Sequence, residues 1–208
     1  MAWWPDVEED SLYNFGGSSS YWASTRAKLV PQAPELWKFT PDRKGGGEWT
    51  KQEAGAGFPS ISPNVGAHTF GNGTGYYLSG ELDAATYPAQ AYNTGFGLPG
   101  LIELDISSGT WQNLSSSPVS QTGTAVNGGA HFVSTFGPEG LVVFFGSTQP
   151  VVDNTANATV KEPFSTISVF EPESKTWFNQ TAFGPAVPDW RTSFCTTGVA
   201  GDNGTYEM

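Results

Sequence analysis

One cysteine, Cys195, is all the chain has, so no internal disulfide framework can hold it together. With no cationic neighbour to stabilise a thiolate, Cys195 reads as a small buried hydrophobe rather than a reactive thiol. Basic residues are scarce too: 9 Lys and Arg stand against 20 Asp and Glu, a formal net charge of -11. That balance repels phosphate backbones, and no Lys/Arg cluster offers a local basic footprint, which argues against nucleic acid as a partner. Charged residues make up only 14% and aromatics equally 14%, the opposite of a disordered composition. No run of about 18 apolar residues occurs, and the opening "MAWWPDVEED" has neither a basic nor an apolar signal region. By itself this segment is expected to carry neither a membrane span nor an export signal. A helical apolar period sustained over about ten positions is also missing.

What is present favours β structure: 26 Gly and 15 Pro among 208 residues, with short alternating apolar segments between them. The length suffices for a real core. Four features recur along the chain, and self-similarity of this kind fixes the architecture before any local assignment. A strand ending in small residues reads "LYNFGG" from Leu12, "YYLSG" from Tyr76 and "VVFFGS" from Val142. An alternating strand follows at Leu36, Leu101 and Ile167, and each is closed by a tryptophan: Trp49, Trp111 and Trp177. Before the glycine strand, "GAHTF" at Gly66 matches "GAHFV" at Gly129, with "RTSFC" at Arg191 a weaker third copy. Gly17 to Trp49 spans 32 residues, Gly80 to Trp111 spans 31, and His68 to His131 spans 63, as does His131 to Phe194.

Each unit thus holds four short strands, and four antiparallel strands per unit of roughly 60 residues make a propeller blade. The expected fold is all-β, with blades over about 1–53, 64–115 and 127–181 and a fourth begun over 188–208. The glycine strand, the alternating strand and the tryptophan at fixed distance resemble kelch repeats. The long units, the "WPD" opening and the closing "WRTSFC…GDNGTYE" resemble the ectodomains of fungal cell-surface kelch-repeat proteins. That resemblance implies repeat positions Gly17, Gly80 and Gly146 beside the three tryptophans. It also implies a ring of more blades than this chain supplies, so we expect a segment of a longer product or a ring shared with a second copy.

Five N-x-S/T sequons stand at Asn72, Asn113, Asn157, Asn179 and Asn203, in turns and outer strands where acceptors must lie. They point to an extracellular or cell-surface parent protein. The connections after the glycine strands are long, and they carry Tyr21, Trp22, Tyr87, Tyr92 and Phe96, a set of aromatics suited to a contact surface. The two histidines, His68 and His131, sit at matching repeat positions, which predicts a packing role rather than metal ligation. Copper-radical oxidases of the galactose oxidase type share this fold, but their Tyr–Cys link, second Tyr and His pair find no constellation here. The sequence reading is therefore a non-enzymatic scaffold for a protein or carbohydrate ligand, with no cofactor. An oxidase-like copper enzyme and a gene fragment without function are the alternatives.

Overall fold

The computed structural model describes residues 1–18, 33–83, 86, 96–120, 122–149 and 160–208. The first sheet runs β1 (Ala2–Asp6), β2 (Ser11–Phe15), β3 (Leu36–Pro41) and β4 (Gly47–Lys51), antiparallel and in chain order. The second holds β5 (Ala67–Gly71) and β6 (Thr74–Leu78). After a small ribbon of β7 (Glu81–Leu82) and β8 (Phe96–Gly97), it is completed by β9 (Leu101–Asp105) and β10 (Thr110–Leu114). The third repeats the order with β11 (Gly129–Val133), β12 (Leu141–Gln149), β13 (Val160–Glu171) and β14 (Thr176–Thr181). A two-stranded hairpin, β15 (Val199–Ala200) and β16 (Tyr206–Glu207), follows. The protein is all-β, built from four-stranded antiparallel blades and the first two strands of another. Among the described residues no helix is long and apolar enough to cross a membrane.

Local chemistry explains the strands and their ends. Ala2, Trp4 and Asp6 alternate inward with Trp3 and Pro5 outward along β1, whose position at a sheet edge lets Pro5 forgo an amide donor. The β5–β6 hairpin turns on Asn72 and Gly73, both at positive φ (51° and 70°), as a two-residue turn of the right twist requires. The turns joining the outer two strands are capped by carboxylates. Asp105 accepts from the Ser108 amide and the Ser107 hydroxyl, Glu171 from the amides of Glu173 and Ser174, and Asp42 from those of Lys44 and Gly46. These bonds hold the three carboxyls below the usual carboxylate range.

Two cores lie between successive sheets. Trp4, Tyr13 and Phe15 of the first sheet close on Tyr77, Leu104 and Trp111 of the second. Ala67, Tyr76, Leu78 and Leu101 of the second close on Val142, Phe144 and Phe170 of the third. The Trp4 indole donates to the Tyr76 carbonyl (3.2 Å), tying one blade's inner strand to the next. The three repeat tryptophans occupy one register position, paired with Phe39, Leu104 and Phe170 respectively. Their burial nevertheless differs: Trp111 is 4% exposed, Trp177 is half-buried, and Trp49 is 44% exposed. A preceding sheet covers the first two and none among the described residues covers Trp49, so the expectation that all three serve the core holds for two.

Strand pairing also shifts two of the sequence's columns by one residue. Ala2, Ala67 and Gly129 pair with Phe15, Leu78 and Phe145, which aligns Gly16, Ser79 and Gly146. All three take positive φ, at 75°, 59° and 56°. Gly17 and Gly80 therefore share a column with Ser147, and Gly146 stands one place earlier. By the same register His68 faces the first sheet, stacked on Tyr77, while His131 faces the terminal hairpin. The histidines are not equivalent, because a one-residue offset on a strand reverses the face.

A candidate binding cavity on the inner strands

The inner strands β1, β5 and β11 stand side by side, and the segment leading into β15 joins them. Between them opens a cavity of about 530 Å3, walled by Trp3, His68, Phe70, His131, Phe194 and Thr196, among others. The stacking of the inner strands brings these residues there: β1, β5 and β11 lie side by side around the cavity, so side chains from either face of a strand reach it.

The wall is mixed in character. The His131 Nε2 lies 2.8 Å from the Tyr206 hydroxyl, and the His68 Nδ1 lies 3.4 Å from the Gly66 carbonyl. Burial pushes both imidazoles below their ordinary pKa of 6.5, so near neutral pH they are uncharged donor–acceptor groups. Thr196 donates to the Ala130 carbonyl at 2.5 Å, and Ser193 holds a positive φ of 56° while its amide donates to the Asn127 carbonyl. Cys195 lines the same cavity and is exposed, which corrects the expectation that it is buried: Phe194 turns inward onto Phe145 and Phe164, and the alternate residue points out. Among the described residues no three His, Cys, Asp or Glu side chains are grouped as they would be to hold a metal ion.

A second, polar groove of about 400 Å3 lies between the second and third sheets. Its floor is Glu103, 5% exposed, whose two oxygens accept from the Lys175 ammonium at 3.0 and 2.8 Å. Asn72 donates to Glu139 at its rim.

The other predicted site residues are dispersed. Tyr21, Trp22, Tyr87, Tyr92 and Asn157 lie outside the described residues. Phe96 is half-buried in β8, opposite Leu82. Asn113 and Asn203 are exposed, Asn203 at the tip of the hairpin turn with φ 60°. The Asn179 side chain is engaged at both ends, donating to the Pro118 carbonyl (3.1 Å) and accepting from the Ser168 hydroxyl (3.1 Å). Sequence reasoning passed over Trp3, Phe70 and Thr196, since nothing short of the stacking of inner strands marks them as neighbours. The "WPD" opening was the one available signal.

Fold and cavity together define a bladed all-β protein with a central cleft. In comparison with known proteins, no family model matches the chain, and no curated protein matches it.

Proposed function

We propose that this chain is a kelch-type propeller segment that acts as a non-enzymatic scaffold for a protein or carbohydrate ligand, within a glycosylated protein of the cell surface or exterior. The observation that carries this reading is the cavity of about 530 Å3, where aromatic rings (Trp3, Phe70, Phe194) stand beside neutral hydrogen-bonding groups (His68, His131, Thr196). A few placed polar groups among apolar walls is the usual make-up of a ligand site. Sugars in particular combine apolar ring faces with hydroxyls that such a wall can serve. The repeated blades supply the rigid frame, and the sequons on exposed turns fit the compartment.

Binding to an immobilised array of oligosaccharides and cell-surface proteins tests it. The parent chain should retain one or more ligands, and Thr69→Arg, which places a long side chain in the cavity wall, should abolish that retention while leaving the melting curve in place. Retention unchanged in Thr69→Arg would put the ligand site elsewhere. Stoichiometric copper with peroxide formation from alcohols or sugars would replace the scaffold reading with an oxidase.

A further inference from the structure

Four sequon asparagines lie among the described residues, and they differ in what their side chains touch. Asn72 donates to Glu139 of the next sheet, and Asn179 is held at both ends by Ser168 and Pro118. Asn203 stands at an exposed turn tip. Asn113 is also exposed, and among the described residues nothing hydrogen-bonds its carboxamide. That residue nevertheless has a defined place: it stands in the wall of a groove of about 210 Å3 beside the outer strand of the second sheet.

Asn113 pairs with Ile102 and lies two residues beyond Trp111, on the face that packs against the first sheet. The chain leaving the first sheet runs alongside, where the Trp111 amide donates to the Ala56 carbonyl (2.8 Å). Further along, Pro59, Ile61 and Pro63 line the groove, and Leu98, Pro99 and Ile102 line it from the second sheet. Both segments are tied down: the Ser62 hydroxyl donates to the Gly17 carbonyl (3.1 Å), and the Leu98 carbonyl accepts from the Ser79 hydroxyl (2.7 Å). The Asn113 carboxamide lies over Gly100, where a Cβ would meet its Oδ1 at 2.1 Å; glycine, here at φ 127°, leaves the room. The groove is thus preformed, lined largely by proline and aliphatic side chains, and it begins at an unengaged amide nitrogen.

We propose that Asn113 carries an N-linked glycan whose first N-acetylglucosamine is seated in this groove, its C–H ring face and acetamido methyl against Pro59, Ile61 and Leu98. The inference rests on the reading of the chain as part of a glycosylated protein. The transfer is the host's: the Asn113 Nδ2 bonds to the anomeric carbon of a lipid-diphosphate-linked oligosaccharide, its proton is lost, and the lipid diphosphate leaves. What the fold adds is the seat. Apolar carbon of the sugar leaves water there, and the connection after the first sheet is bound to β9 and β10 through it.

Protein made in a eukaryotic secretory host tests this in two arms. Glycopeptide mass spectrometry should find Asn113 occupied, and an amidase that hydrolyses the sugar–asparagine bond should act on the folded protein several-fold more slowly at Asn113 than at Asn203, with the difference gone after denaturation. Ile61→Ala, which opens the groove, should bring the two rates together. In the second arm the glycans are trimmed to one N-acetylglucosamine, and the parent should melt about 2–4 °C above Ser115→Ala, which loses the acceptor pattern and keeps Asn113. The same two chains made in bacteria, without glycans, should melt together. An unoccupied Asn113 overturns the proposal and the glycan assignment at that position with it. An occupied Asn113 that is cleaved as fast as Asn203 and adds nothing to the melting temperature overturns the seat alone and leaves the glycosylated reading standing. Slow cleavage that survives Ile61→Ala places the protection outside the groove and overturns the seat as well.

Discussion

At Trp111, Trp49 and Ser79 the same repeat yields unlike residues. Trp111 is enclosed by Trp4, Phe15 and Phe58, so Trp111→Ala removes a large ring from a closed core and should cost about 3–5 kcal/mol in urea unfolding. Trp49→Ala, at the same register but uncovered, should cost about 1 kcal/mol or less in the monomer. Equal losses would refute the assignment of the first sheet's face as open. Ser79 holds the left-handed conformation that its column mates Gly16 and Gly146 adopt without strain. Its hydroxyl offsets that strain, donating to the Leu98 carbonyl (2.7 Å) and accepting from the Ala125 amide (2.8 Å). Ser79→Ala keeps the strain and strands both partners, with an expected loss of about 1–3 kcal/mol by the same measurement.

Between elements, the apolar core that joins the second and third blades is accompanied by polar links. Lys175, in the turn after β13, reaches across to Glu103 of β9, which is only 5% exposed. Lys175→Met would leave that carboxylate in the groove without its cation. Because the lysine itself is partly exposed, the loss should be about 1–3 kcal/mol, less than for a fully enclosed pair. Changing Glu103→Gln in the same chain should recover part of it, and a double-mutant cycle measures the coupling. Asn179 plays a comparable part at the outer edge, spanning Ser168 and Pro118 with its amide. A glycan there would break the inter-sheet bond, whereas Asn203 is an exposed turn tip. Peptide mass spectrometry of protein made in a secretory host should find Asn203 occupied and Asn179 largely bare.

The strands themselves were legible in the sequence for a physical reason: alternating residues, turn glycines and a closing tryptophan each answer to local geometry. Register was not. The "GAH" match places His68 and His131 in one column, yet the pairing of Ala67 with Leu78 and of Gly129 with Phe145 sets them on opposite faces. Hairpin pairing obeys the burial of whole faces, which a short identity cannot report.

For the whole molecule, the inner cavity couples stability to pH. Burial lowers both His68 and His131 below 6.5, so the folded protein resists protons that the unfolded chain accepts. Stability from this source is complete above the unfolded value and is lost as pH falls through about 6.5 toward the folded values. Glu81, raised by burial from its ordinary 4.5, acts in the opposite sense: its charged form costs the folded state above the raised value, and that cost is relieved as pH falls through it toward 4.5. The carboxyls lowered by turn bonds contribute only when pH approaches the range of free carboxylates. The melting temperature should therefore drop between pH 7.5 and 5.5, and His68→Gln, which cannot titrate, should flatten that slope. A ligand seated against neutral imidazoles would be released over the same interval, so an affinity that falls together with the melting temperature, and does so less in His68→Gln, would locate the bound molecule in the cavity. An affinity constant from pH 7.5 to 5.5 would remove it from there.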